Sequence, residues 1–166
     1  MKLLNDYSNF IKKFNMVGSN VVFVNNAMEI ETVCTGHSSL EKNILTNFDS
    51  IYRIASISKV IVAIGVLKLY EQGLVDLDED ISKYFGFKIR NPKYEDTPIT
   101  LRMIMTQTSS IVDDGGYIDG IYKGYDGSNS TDDFIQVKSL LTPGDKHYGV
   151  GYSDYKPGTN FIYSNF

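Results

Sequence analysis

Apolar residues recur at helical spacing from the start of the chain, with Leu3, Leu4, Tyr7, Phe10, Ile11 and Phe14 on one side of a helix over 3–14. Gly18 and Ser19 are expected to end that helix. The period then shortens. Val21 to Val24 is β-branched and aromatic, Asn25-Asn26 suits a turn, and Ile30 to Thr35 alternates, which predicts a β-hairpin. Ser38 with Glu41 reads either as a capping box or as a solvated loop. From Ser56 to Gln72 the helical pattern returns with almost no polar face. Val60, Ile61, Ala63, Ile64, Leu67 and Leu69 predict a helix buried on most sides, stopped at Gly73. A short helix is expected within 81–87, and Thr100 should cap another that runs to about Thr108.

The texture changes over 113–157, which holds more than half of the glycines and half of the tyrosines. It reads either as a long ordered loop over a cleft or as an irregular insertion. No repeat or low-complexity tract accompanies it. The 166 residues and 42% hydrophobic content fit one ordinary domain with a sizeable core. A net charge of −4 argues against nucleic acid as the main partner. One cysteine, Cys34, and two histidines allow neither an internal disulfide nor a plausible zinc cluster. Asn5 and Asp6 interrupt the N-terminus before a signal-type apolar stretch forms. As written, the chain is expected to be cytoplasmic, or extracytoplasmic if a leader has been removed.

Ser56-Ile-Ser-Lys59 has the form Ser-x-x-Lys at the mouth of the apolar helix. Positions i and i+3 share a helix face, so Ser56 Oγ and Lys59 Nζ can meet. A helix N-terminus favours a developing oxyanion, and apolar neighbours would push a lysine towards a neutral base. The spacing alone is weak, because a random chain this long contains it about half the time. Ser39 to Lys42 and Ser153 to Lys156 also match, but Lys156 precedes Pro157 and Ser39 opens no apolar helix. The competing reading of Ser56 is a simple N-cap. Tyr163-Ser-Asn165 supplies a phenol and an amide two residues apart, with a decoy at Tyr7-Ser-Asn9. The competing reading of Tyr163 is a packed aromatic at a turn.

Four blocks in order resemble a known family. Tyr52-Arg-Ile-Ala-Ser56-Ile-Ser-Lys59, the stretch from Leu67 to Asp80, the stretch from Pro98 to Ile111, and Pro157-Gly-Thr-Asn-Phe-Ile-Tyr163-Ser-Asn165 resemble the serine β-lactamase and penicillin-binding-protein-like hydrolases. The likeness is to the class C and D-alanyl-D-alanine carboxypeptidase branch, and it spans about residues 20–166. It implies an α/β (α+β), β-lactamase/transpeptidase-like fold. It also implies Ser56 as the acylated nucleophile, Lys59 and Tyr163 as a coupled proton-transfer pair, Asn165 as a substrate contact, and the Ser56 N–H as one oxyanion donor. No metal or organic cofactor is implied. The expected substrate is a β-lactam, a D-alanyl peptide or an ester.

The resemblance also has departures. Gln107 stands where the family often has histidine, and Ser110 where it often has glycine; both read as changes at a helix end. The family's third motif, Lys-Thr-Gly or His-x-Gly, would follow Asn165 on a strand, and His147-Tyr-Gly149 lies before Tyr163, in the wrong order. The expected organisation is therefore one incomplete domain. Residues 1–55 form the N-terminal helix and hairpin, and 56–166 the mainly helical region, without the C-terminal strands. Such a chain would leave a hairpin edge and an apolar helix face open, to be covered by a second copy or by the missing half. The alternative to an active hydrolase is an incomplete fragment, or a penicillin-sensing module that acylates without turnover.

Overall fold

The structure is a computed structural model describing residues 2–113 and 137–165. The chain divides into two compact units, residues 1–54 and 55–166.

In the first unit, α1 (Lys2–Lys13) carries Lys12 and Lys13 in its last turn, where cations suit the helix dipole. It ends earlier than Gly18. Asn15 takes the left-handed conformation at φ 50°, and the Met16 N–H reaches back to the Ile11 carbonyl. This is the Schellman closure, which tolerates Asn. Strands β1 (Gly18–Val24) and β2 (Ile30–Ser39) pair antiparallel with Val24 opposite Ile30, as the alternation predicts. A short third strand, β3 (Ile44–Leu45), extends the sheet in the order β1-β2-β3. Of the two readings of Ser38 and Glu41, the loop is the one found: Ser38 lies in β2 with its Oγ donating to the Ile44 carbonyl at 3.4 Å, and in the turn that follows Ser39 Oγ accepts from the Lys42 N–H. Gly36, at φ 75°, lets the strands close, because a Cβ there would sit 2.1 Å from the Val17 carbonyl oxygen. Tyr7, in the decoy triplet, packs edge-on against Phe23 and hydrogen-bonds Ser19. It is a packed aromatic tying α1 to β1.

In the second unit, Ala55–Ile57 form one 3-10 turn that leads into α2 (Ser58–Glu71). Gly73 at φ 69° closes α2 with bonds from Gly73 N–H to the Tyr70 carbonyl and from Leu74 N–H to the Leu69 carbonyl. The expectation that α2 is buried on most sides fails. None of its residues is buried, and Val60, Ile61, Val62 and Ile64 are each more than half exposed. A helix without a polar face needs covering neighbours, and the described residues supply none for it.

The core lies elsewhere in this unit. Ile81, Ile89, Ile99, Ile111, Leu140, Leu141 and Tyr152 form one buried cluster. It is framed by α3 (Ser82–Phe85), α4 (Leu101–Met105) and α5 (Val137–Leu141). Thr100 caps α4 through its side chain, which accepts from the Met103 N–H at 3.2 Å. Residues 114–136 of the Gly- and Tyr-rich stretch lie outside the described residues. The portion from 137 onward supplies Leu140, Leu141 and Tyr152 to the core, and an isolated bridge joins Ile111 to Tyr152. Buried Asn91 locks the same region, donating to Ser110 Oγ at 3.0 Å and to the Ser153 carbonyl at 2.8 Å. No helix among the described residues is long and apolar enough to cross a membrane.

Candidate active site

Ser56 sits in the 3-10 turn, directly after Ala55, which is left-handed at φ 44°. Left-handed backbone is uncommon for a residue with a Cβ and often marks a functional turn. The N-cap of α2 is Ile57, with no side-chain cap bond, so Ser56 is not the simple helix cap its position suggested. Its Oγ lies 2.5 Å from the Tyr163 hydroxyl, and the Lys59 ammonium donates to it at 3.3 Å.

Lys59 is the hub. One turn along the chain from Ser56, its Nζ also donates to Tyr163 Oη at 3.0 Å and to Asn165 Oδ1 at 2.8 Å. It lies 4.9 Å from the centroid of the Tyr163 ring, so the cation meets both the hydroxyl and the ring. The apolar wall expected around Lys59 is open, because the surrounding residues of α2 are exposed. The Tyr163 phenol is held below its ordinary value. The hydrogen bond with Ser56 contributes most and that from Lys59 next. The four residues singled out from the sequence therefore meet around the Lys59 nitrogen. His147 sits in a turn, its carbonyl accepting from Val150 N–H.

Two further residues belong to this neighbourhood. Asp113 Oδ2 accepts from the Asn165 amide at 2.5 Å, so Asn165 bridges a carboxylate and an ammonium. No spacing rule points to Asp113. Gln107 accepts from the backbone on both sides of Tyr163: its carbonyl takes Ile162 N–H at 2.9 Å, and its Oε1 takes Ser164 N–H at 2.6 Å. The sequence signal was present, as a departure from the family pattern, but it read as a helix-end change. It is that as well. α4 stops at Met105, short of Thr108, because Gln107 turns left-handed at φ 58° and Thr108 N–H closes back on the Met103 carbonyl.

An open cleft of about 580 Å³ adjoins Tyr163, lined by Asp113, Tyr152, Ser153, Tyr155 and Ile162 among others. Among the described residues no group of three or more His, Cys, Asp or Glu gathers to hold a metal. A hydroxyl contacted by a lysine nitrogen and a phenol oxygen, beside a cleft, has the parts needed to attack a carbonyl carbon and, with one of the two partners deprotonated, to pass on the released proton.

The Beta-lactamase family matches residues 8–166. Protein flp of Staphylococcus aureus (strain N315) is 24% identical over 155 residues, which are 93% of this chain and 28% of that protein. The D-alanyl-D-alanine-carboxypeptidase/endopeptidase AmpH of Escherichia coli (strain K12) is 38% identical over 76 residues, 46% of this chain and 20% of that protein. The octameric penicillin-binding protein homologue from Pyrococcus abyssi superposes with a TM-score of 0.70 at 22% identity, over 99% of this chain and 35% of that one. The chain thus spans about 28% of the length of the curated relatives it matches most fully. With a match from residue 8 to residue 166 and the mixed helix-and-sheet architecture described above, the chain belongs to the β-lactamase family of hydrolase-fold proteins.

Proposed function

We propose that this chain carries the acylation machinery of a serine hydrolase, with Ser56 as the nucleophile. The observation that carries the reading is the contact of Ser56 Oγ with both Tyr163 Oη and Lys59 Nζ, at 2.5 and 3.3 Å. Ser56 Oγ attacks the carbonyl carbon of an amide, β-lactam or ester, and its proton passes to the Tyr163–Lys59 pair. The pair accepts that proton in the state in which the two groups share one proton between them, as tyrosinate beside ammonium or phenol beside amine. When the tetrahedral intermediate collapses, the bond to nitrogen or to alkoxy oxygen breaks and the same proton goes to the leaving group. Water then hydrolyses the acyl-serine. Asn165 is the substrate contact in this reading, supported by its bonds to Lys59 and Asp113 beside Ser56. The cleft lined by Asp113 and Tyr155 takes the acyl portion. The name of the Escherichia coli relative, a D-alanyl peptidase, supports a D-alanyl peptide among the candidate substrates. A second copy of the chain is a candidate partner, a reading that the octameric assembly of the Pyrococcus abyssi relative supports.

A second reading is acylation without turnover. It is favoured by the exposure of the site: Tyr163 is 48% exposed and no residue of α2 is buried. Preorganised charge stabilisation is weaker in a wet site. Incubating the chain with a fluorophosphonate and with a labelled penicillin, beside a Ser56→Ala control, separates the readings by mass spectrometry. The phosphonyl adduct reports only whether Ser56 reacts; a penicilloyl adduct on Ser56 that discharges with time supports the hydrolase, and one that persists supports the sensor. Absence of any adduct at Ser56 defeats both.

A further inference from the structure

Among the described residues, α1, α2 and α4 end with the same closure, and they differ in the residue that makes the left-handed step. α1 uses Asn15 and α2 uses Gly73, both residue types that tolerate positive φ. α4 uses Gln107, at φ 58°, a β-carbon-bearing residue without that tolerance. Its bonds give a reason for the choice. The Gln107 carbonyl accepts from Ile162 N–H and the Gln107 Oε1 from Ser164 N–H, so one residue grips the backbone immediately before and after Tyr163. A third bond, from Gly158 N–H to the Thr108 carbonyl at 2.8 Å, runs the two segments alongside each other. Glycine at position 107 would relieve the backbone and still offer the carbonyl, but it would leave Ser164 N–H without its side-chain acceptor.

We propose that Gln107 is a positioning residue of the acylation site, fixing the 162–164 backbone so that the Tyr163 hydroxyl meets Ser56 Oγ and Lys59 Nζ. The inference rests on the reading of Ser56 as nucleophile for its kinetic consequence, but not for its structural one. Gln107 touches neither substrate nor the reacting oxygen and acts only through the placement of Tyr163. Small displacements of a proton-transfer group are costly: a shift of about 1 Å loses up to about a hundredfold in rate.

The test compares Gln107→Gly with Gln107→Glu in the full chain. The glycine variant removes the acceptor while easing the backbone, so it retains the fold, and a thermal melt verifies this. The glutamate variant keeps a carboxylate oxygen for Ser164 N–H. Two readouts are taken: the fluorophosphonate labelling rate of Ser56 across pH, and the titration of the Tyr163 ring carbon by NMR in ¹³C-tyrosine protein, assigned with Tyr163→Phe. Gln107→Gly is expected to slow labelling about ten- to a hundredfold and to move the Tyr163 titration up towards that of an ordinary tyrosine, while Gln107→Glu labels within about threefold of the parent chain. A glycine variant that labels at the parental rate with Tyr163 titrating unchanged overturns the proposal, as does a glutamate variant as slow as the glycine one. If the parent chain is not labelled at all, the nucleophile reading fails. The Tyr163 titration alone then decides: an upward move in Gln107→Gly supports the positioning role, and none overturns it.

Discussion

The second unit holds two helical environments that share one site. α2 is apolar around its whole circumference yet buries nothing, whereas the isoleucine cluster beneath α3, α4 and α5 is closed, with Ile99 fully buried. Ser56 and Lys59 belong to the first environment. Tyr163 and Asn165 are tied to the second, through Gln107 and through Asp113, which follows the Ile111–Tyr152 bridge. Local signals make the first environment: an apolar run at helical length, a glycine stop and an i, i+3 pair. Packing and buried hydrogen bonds make the second. The site is therefore assembled from a locally encoded half and a tertiary half, joined by the contacts at Lys59 Nζ and Tyr163 Oη.

This contrast is broken most strongly by truncating one isoleucine in each environment. Ile99→Ala should cost about 3–4 kcal/mol, because it removes a fully buried side chain and leaves a cavity. Ile61→Ala, at a position 62% exposed, should cost less than about 1 kcal/mol. Equal losses in denaturant titrations would remove the distinction between the two environments.

A smaller effect sharpens it by pH. Asp80, paired with Arg90, is lowered from 3.8 to about 2, with the Arg90 hydrogen bond as the largest cause. A depressed carboxylate stabilises the fold fully above its unfolded value, and that contribution is lost as pH falls from about 4 through 2. Partial solvation reduces it to about 1–2 kcal/mol. The stability gap between the parent chain and Asp80→Asn should therefore narrow over that interval. A gap that stays constant from pH 7 to pH 2 would assign the stability of the packed environment to other groups.

The sequence made the locally encoded parts legible. Helical spacing located α1, alternation located the β1–β2 pairing, and Thr100 marked the start of α4. The i, i+3 spacing showed that Ser56 and Lys59 can meet, but the same spacing occurs three times, and the apolar helix and the ordered blocks singled this one out. Tyr163, 104 residues beyond Lys59, could be joined to them only through the resemblance of ordered blocks. What escaped depended on distant partners. The two-residue strand β3 is too short to carry a period. Asn15 ended α1 before Gly18 because two intrahelical carbonyls found N–H partners there. Asp113 and Gln107 matter through hydrogen bonds that span more than fifty residues, which no local window contains. The burial of α2 was misjudged because apolarity states what a helix needs, not what the rest of the chain provides.

The central claim is that Lys59 and Tyr163 handle one proton for Ser56 as a single unit. It is tested most directly by a double-mutant cycle on the Ser56 labelling rate, with Lys59→Ala, Tyr163→Phe and the two combined. Each single change should slow labelling by about a hundredfold or more, and the double variant should be little slower than the worse single one, because residues that act as a unit are not additive. Slowing in the double variant that equals the product of the two single effects would mean that the two residues act independently and would contradict the account.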